Sequence, residues 1–154
     1  MKCYNCNSQL TDADYCVKCG ADVTVYKTIV KKSNEYYNLG LAKAQVRDLS
    51  GAVVALRTSV RINKLNTKAR NLLGLVYFEM GEAVSALSEW VISKNLQPEK
   101  NIADSYIKAV QSNPNKLDVI NQTIKKYNQA LLYAKQGSDD LAVIQLKKVL
   151  NLNP

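Results

Sequence analysis

Apolar residues recur three and four positions apart along most of the chain after residue 24, which is the spacing of an amphipathic helix. In the clearest stretch, the apolar residues on one helical face are Ala52, Val53, Leu56 and Val60. The first 23 residues offer only a handful of apolar side chains. The pattern therefore predicts an all-α chain preceded by a small segment that cannot pack a core of its own.

Breaks in the pattern locate individual helices. A long first helix is predicted from about Thr24 to Arg47, and another long helix from Pro114 to Gln136. A short helix is predicted within residues 101–112, because Asn113-Pro114 ends one helix and starts the next.

Residues also recur at a fixed separation, which is the signature of a repeat protein. The pairs that lie 34 positions apart are Leu39-Gly40 with Leu73-Gly74, Ala52 with Ala86, Leu56 with Trp90, and Ser59 with Ser93. A third copy lies 56 positions after the second, with the pairs Gly74 and Ala130, Tyr77 and Tyr133, Gly81 and Gly137, Ala86 and Ala142, and Pro98 and Pro154. Because 56 exceeds 34 by 22, residues 101–122 are predicted to be an insertion.

This combination of a 34-residue period, a small residue in one helix, an alanine in the next and a closing proline resembles the tetratricopeptide repeat (TPR). The resemblance covers residues 33–66, 67–100 and 123–154. It implies antiparallel helix pairs that stack into a superhelix, and hence a TPR-like helical domain over residues 24–154.

The small residues have a packing role in such helix pairs. Gly40 and its equivalents are expected where the paired helices approach most closely, because a larger side chain would push the helices apart. Leu56, Trp90 and Leu146 are expected to fill the adjacent holes.

The TPR resemblance also implies that the first helix of each pair lines a concave surface. The inward positions, called the predicted groove below, are Tyr37, Asn38, Leu41, Lys68, Asn71, Leu72, Leu75, Phe78, Tyr127, Asn128 and Leu131. Asn38 and Lys68 match two members of the carboxylate clamp of chaperone-binding TPR proteins, but Leu72 stands where that clamp has an arginine. The surface is largely apolar and aromatic, which suits an amphipathic helix or an extended peptide. The alternative is that the inserted helix or the cysteine-rich segment folds back over this surface.

Four cysteines form two identical C-x-x-C units at Cys3, Cys6, Cys16 and Cys19. Two such turns facing one another complete a tetrahedral four-sulfur shell around one zinc ion. Asn7 and Gly20 directly follow the two units, and both residue types accept the left-handed backbone that such turns require.

Residues 1–23 resemble the small amino-terminal zinc ribbons of many bacterial multidomain proteins. Zinc is expected to be structural, because four cysteines fill its coordination shell and the segment needs the metal to fold. The alternative is a pair of disulfides, although paired cysteines in a reducing cytosol more often hold metal. This cysteine usage predicts a cytoplasmic protein.

Composition excludes several activities. The chain has no histidine, so histidine-dependent nucleophilic triads and histidine-liganded catalytic metals are excluded. Glycine-rich phosphate-binding motifs are absent from the sequence, so no enzymatic activity is expected. The sequence has no apolar run of 18 or more residues, so no membrane-spanning helix is predicted.

We therefore expect a non-catalytic protein–protein interaction module or adaptor that binds a protein or peptide partner. The alternative is a nucleic-acid-associated protein, because the net charge is +8. The lysines nevertheless occur as scattered pairs rather than as a continuous stripe, and the ribbon itself is net acidic. Val143, Leu146, Val149 and Leu150 are expected to form an apolar edge that meets a further repeat, if the chain is a fragment, or another subunit.

Overall fold

The computed structural model describes residues 1–152, apart from the side chains at 114, 116 and 117. Within those residues the chain forms seven helices: α1 Thr24–Gln45, α2 Leu49–Ile62, α3 Thr67–Glu79, α4 Ala83–Leu96, α5 Ala103–Gln111, α6 Pro114–Lys135 and α7 Asp139–Leu152. The β structure in this part of the chain is limited to two isolated bridges, Lys2 with Gln9 and Tyr15 with Asp22. The prediction of an all-α architecture is confirmed, and the predicted bounds of α1 and α6 are correct to within two residues. The predicted closing proline of the third copy, Pro154, lies outside the described residues.

The chain divides into two compact units, Met1–Ala69 and Arg70–Pro154. The first unit contains the cysteine-rich segment, α1 and α2, and the second contains α4 to α7. Helix α3 crosses the boundary between them. The predicted division into a ribbon of residues 1–23 and a helical domain of residues 24–154 stays a prediction.

Helices α1 and α2 form a hairpin and pack closely at Gly40. A Cβ atom added to Gly40 would lie 2.6 Å from Cγ of Leu56, so that position leaves no room for a larger residue. Leu56 and Ala52 are fully buried in the same hairpin. The predicted packing roles of Gly40 and Leu56 are confirmed.

A buried polar cluster holds the other end of this hairpin. The hydroxyl of Ser33 donates to the carbonyl oxygen of Ser59 at 2.9 Å, and the hydroxyl of Ser59 donates to the carbonyl oxygen of Ser33 at 2.7 Å. The side-chain amide of Asn66 donates to the Ser33 hydroxyl, and its oxygen accepts from the backbone N–H of Ala69. The cluster therefore ties α1, α2 and the start of α3 together and leaves few buried polar groups unpaired.

In the second unit, Gly74 of α3 faces Trp90 of α4, and a Cβ at Gly74 would overlap the indole ring. The indole N–H of Trp90 donates to the carbonyl oxygen of Asn71 at 3.2 Å. Trp90 is 2% exposed, and the ring of Tyr106 from α5 lies 5.2 Å from it. The predicted core role of Trp90 is confirmed.

Helix α5 continues the repeat register into the predicted insertion. Its buried residues Ala103 and Ile107 lie 34 positions after Ala69 and Leu73, which are also buried. The side-chain amide of Asn101, just before α5, donates to the hydroxyl and carbonyl of Ser93, much as Asn66 binds the equivalent Ser59. This relation is hard to see in the sequence because α5 is short and Asn113-Pro114 interrupts the period after it.

Helices α6 and α7 form the last hairpin, with Ala130 and Ala142 buried between them. The turn after α6 repeats the turn after α3. Gly137 and Gly81 both have positive φ, and the residues that follow them donate to carbonyl groups five positions back. One packing expectation is not met, because Leu146 is 40% exposed. Trp90, by contrast, is 2% exposed and is covered by Tyr106 of α5.

Candidate metal centre and helical surfaces

The two C-x-x-C units adopt the same backbone structure, displaced by 13 residues. The N–H of Cys3 donates to the carbonyl of Ser8, and the N–H of Cys16 donates to that of Ala21, each at 2.8 Å. The residues after the second cysteine of each unit have φ of 59° at Asn7 and 72° at Gly20. The left-handed backbone predicted for both positions is therefore present.

These turns bring four sulfur atoms together. The Sγ atoms of Cys3 and Cys19 are 3.7 Å apart, those of Cys6 and Cys16 are 3.6 Å apart, and all four lie within 4.8 Å of one another. A tetrahedral shell with metal–sulfur bonds of about 2.3 Å requires sulfur–sulfur distances of about 3.8 Å. The cluster is thus compatible with one metal ion, and no disulfide bond joins the four cysteines in this arrangement.

Ser8 supplies a hydroxyl to this cluster that sequence reasoning missed. Its Oγ lies 3.0 Å from Sγ of Cys6 and 3.2 Å from Sγ of Cys16. Hydrogen bonds from this hydroxyl and from the backbone N–H groups of Cys19 and Lys18 lower the pKa of the Cys16 thiol to about 6. The Ser8 hydroxyl and then the backbone N–H of Ser8 lower the pKa of the Cys6 thiol. Because the hydroxyl has a single proton, Cys6 and Cys16 share this donor. Because a thiolate is the form that binds metal, these contacts favour coordination at neutral pH.

The cysteine-rich segment is fastened to the start of α1. Val23 is fully buried against Cys3 and Cys16, and the ammonium of Lys27 donates to the carbonyl oxygens of Thr11 and Ala13, each at 2.6 Å. The contacts of Lys27 hold the residues between the two C-x-x-C units, where no cysteine is available to anchor the chain.

The predicted groove residues are divided between the two compact units. Tyr37, Asn38, Leu41 and Lys68 belong to the first unit, and Asn71, Leu72, Leu75, Phe78, Tyr127, Asn128 and Leu131 belong to the second. The clamp-like pair of Asn38 and Lys68 is exposed. Their role in binding stays a prediction.

In the first unit, the cysteine-rich segment approaches the predicted groove. Asn38 and Asn34 of α1 line a cleft of about 660 Å³ together with Leu10, Thr11 and Asp12 of that segment. A ligand that contacted Asn38 in this cleft would also meet the segment.

In the second unit, α5 lies against the predicted groove residues of α3. The side-chain amide of Asn71 donates to the side-chain oxygen of Asn101 at 2.8 Å. Leu75 and Phe78 are half-buried and pack against the core cluster that contains Trp90 and Ile107. The predicted insertion therefore covers part of the surface on α3.

The predicted groove residues of α6 are open. Tyr127 is 47% exposed, Leu131 is 44% exposed, and Asn128 is also exposed. Tyr127 and Asn128 line a cleft of about 820 Å³ together with Phe78. The apolar edge on α7 is exposed as well, including Val143 and Leu150.

The hairpin of α6 and α7 carries the third predicted copy of the repeat, with Ala130 and Ala142 at the helix contact. Residues 126–154 match the family model of the tetratricopeptide repeat. This match supports a TPR protein, and it falls on the third predicted copy rather than on residues 67–100, where the sequence motif is most complete. No curated protein matches the chain. None of the helices in residues 1–152 has the length and apolar character needed to cross a membrane.

Proposed function

We propose that this chain is a non-catalytic cytoplasmic adaptor that binds a peptide or a helix of a partner protein through its TPR surfaces. The observation that carries the proposal is the TPR match at residues 126–154, because TPR helix pairs generally serve as protein-binding modules. The alternative is nucleic-acid association through the basic helical surface and the ribbon, and it rests on the net charge of +8 and on the resemblance of residues 1–23 to zinc ribbons.

The exposed face of α6 supports protein binding. Tyr127 and Leu131 each leave nearly half of their surface in solvent, and they lie four positions apart on one helical face. Aromatic and large aliphatic side chains of this kind supply most of the binding energy in protein interfaces. The half-buried Leu75 and Phe78 are less suitable test positions, because a charge there would also disturb the core.

Two neighbouring leucines on α6 provide a matched experiment. Leu131 belongs to the predicted groove, whereas Leu132 is 54% exposed and points about 100° away around the helix. We expect Leu131→Glu to lose partner proteins that the wild-type chain and Leu132→Glu both recover from the source cell, as measured by quantitative mass spectrometry. Both variants are first checked for native helicity by circular dichroism. Equal recovery by the two variants would reject this surface as the binding site.

We further propose that residues 1–23 are a structural zinc ribbon of the bacterial type. The support is the cluster of four sulfurs within 4.8 Å of one another, because four thiolates suit zinc and would fill its coordination shell. Native mass spectrometry of the cell-purified protein should find one zinc per chain, and none in a Cys3→Ser, Cys16→Ser variant. A wild-type mass without zinc that is lower than the mass of the reduced chain by four hydrogen atoms would instead indicate two disulfides.

A further inference from the structure

We propose that the cavity between α3, α4, α5 and α6 is a binding site for a small neutral molecule with one aromatic ring and one hydrogen-bonding group, such as a phenol. This goes beyond the proposed adaptor function, because the ligand is a free small molecule rather than a protein. All of the residues that line the cavity lie in the second compact unit.

The size of the cavity sets the size of the ligand. Its volume is about 180 Å³. An apolar cavity of about 150 Å³ holds a benzene ring. A single substituted ring therefore fills this volume, and the rest of a larger ligand would extend into solvent.

The walls select a neutral aromatic ligand. Phe78, Trp90 and Tyr106 contribute aromatic rings, and the rings of Phe78 and Tyr106 lie 6.0 Å and 5.2 Å from that of Trp90. Leu75 and Val110 add aliphatic surface, and no charged side chain lines the cavity in the described part of the chain. An ionic ligand would lose hydration here without gaining a counter-charge.

Asn113 supplies a polar group to this site. It lies between α5 and α6, lines the cavity, and occupies the N-cap position of α6 without a capping hydrogen bond from its side chain. Its exposed amide therefore has hydrogen-bonding capacity that α6 does not use. A hydroxyl on the ring of the ligand would have a partner in this amide.

The only tryptophan in the chain provides the readout. Trp90 lies in the cavity wall, so the ¹⁵N-labelled protein has a single indole N–H signal. We expect this signal to shift saturably when the zinc-loaded protein is titrated with toluene or with p-cresol. One added neutral hydrogen bond corresponds to about fivefold tighter binding, so p-cresol should bind more tightly than toluene by roughly that factor. Benzylammonium should produce no saturable shift.

Variants test the location. Ala109 lines the cavity from α5, and Ala109→Phe should abolish binding of both neutral ligands by filling the space. Ala134→Phe makes the same change at an exposed alanine of α6 outside the cavity lining, and it should leave binding unchanged. Asn113→Ala should reduce p-cresol binding to the level of toluene.

These experiments test the ligand site independently of the adaptor function, because neither Ala109 nor Asn113 belongs to the predicted groove. Absence of a saturable shift in the wild-type protein, or unchanged binding in a folded Ala109→Phe variant, would overturn the proposal. If circular dichroism shows that Ala109→Phe does not fold, the comparison of the two ligands in Asn113→Ala decides. Equal p-cresol affinity in that variant and in wild type would then reject the site.

Discussion

The hydroxyl of Ser8 lies between the sulfurs of Cys6 and Cys16, at 3.0 Å and 3.2 Å. Hydrogen bonds to metal-bound sulfur orient the ligand and stabilise its thiolate form. We expect Ser8→Ala to weaken zinc binding by about tenfold, the lower end of the usual cost of losing an outer-shell partner. Competition with a chromogenic chelator at pH 7 measures the change.

The neighbouring exposed Gln9 offers the control for that substitution. Gln9→Ala keeps the Ser8 hydroxyl and should leave zinc affinity unchanged. Equal affinities for Ser8→Ala and Gln9→Ala would show that the hydroxyl contributes nothing to metal binding.

Gly74 leaves no room for a side chain at the contact between α3 and α4. In an unhindered helix, glycine to alanine stabilises by about 1 kcal/mol. At Gly74 the added methyl group would overlap the indole of Trp90, so we expect Gly74→Ala to destabilise the protein by about 1–3 kcal/mol instead. Urea unfolding followed by helical circular dichroism measures the free energy of unfolding.

A double-mutant cycle separates this overlap from other effects. In a Trp90→Phe background the smaller ring leaves more room, so Gly74→Ala should lower the free energy of unfolding by less than it does in the wild-type chain. An equal loss of unfolding free energy in both backgrounds would show that the overlap with Trp90 is not the cause.

Residue types reveal some of these details and not others. Asn7 and Gly20 could be predicted because left-handed backbone restricts residue type, and Gly74 because close helix contact excludes side chains. Ser8 and Asn101 could not be predicted in the same way. Serine and asparagine are common on surfaces, and their partners here are fixed only by tertiary contacts.

Among the helices, α5 could be predicted from the sequence, but its packing could not. Its existence and its end before Pro114 follow from local pattern and from proline chemistry. Its packing onto Trp90 and beside Leu75 depends on how the chain turns after α4, which no local pattern encodes. For this reason the sequence could nominate Leu75 and Phe78 as groove residues without showing that α5 half-buries them.

Helices α4 and α5 are joined by a charged bridge that predicts a pH dependence. The carboxylate of Asp104 binds the ammonium groups of Lys108 and Lys94. Hydrogen bonds from Lys108 and then from Lys94 lower the Asp104 pKa from its ordinary 3.8 to about 2. An acid with a lowered folded-state pKa stabilises the protein above its unfolded-state pKa and loses that effect as pH falls.

We therefore expect Asp104→Asn to lower the melting temperature at pH 5 to 7, and the difference from wild type to disappear as the pH falls from about 4 to about 2. Asp118→Asn serves as the control, since the Asp118 carboxylate accepts from the neutral amide of Gln122. A difference for Asp104→Asn that stays constant down to pH 2 would show that the charge of Asp104 is not responsible.

For the molecule as a whole, the proposed zinc site predicts that metal removal affects residues 1–23 and the helices differently. Residues 1–23 contain no helix, and their small core consists of cysteines with Val23 and Leu10. Because so little apolar surface is buried there, chelation by EDTA is expected to disorder this segment while most of the helical circular dichroism remains. Amide hydrogen exchange should report faster exchange at residues 1–23. Loss of most of the helix signal on chelation would contradict this modular behaviour.

The net charge of +8 also makes a prediction about nucleic acid. The lysine pairs lie on separate helices, at Lys31-Lys32 in α1, Lys125-Lys126 in α6 and Lys147-Lys148 in α7, and Lys32 is paired with Glu35. We expect no gel shift of generic single-stranded RNA at physiological salt, since scattered charges bind a phosphate backbone weakly. A shift that weakens steeply with added salt would favour the nucleic-acid alternative.

Helix α1 is unbroken for 22 residues, about 33 Å, and carries the ribbon contact at Lys27 and the hairpin contact at Ser33. The number of residues between these two positions therefore sets the orientation of the cysteine cluster around the axis of α1. One residue inserted between Lys27 and Ser33 would rotate the cysteine-rich segment by about 100° around the helix axis. The contacts of Lys27 with that segment and of Ser33 with α2 could both be kept. The length of α1 between Lys27 and Ser33 therefore fixes the angle between the cysteine-rich segment and the α1–α2 hairpin.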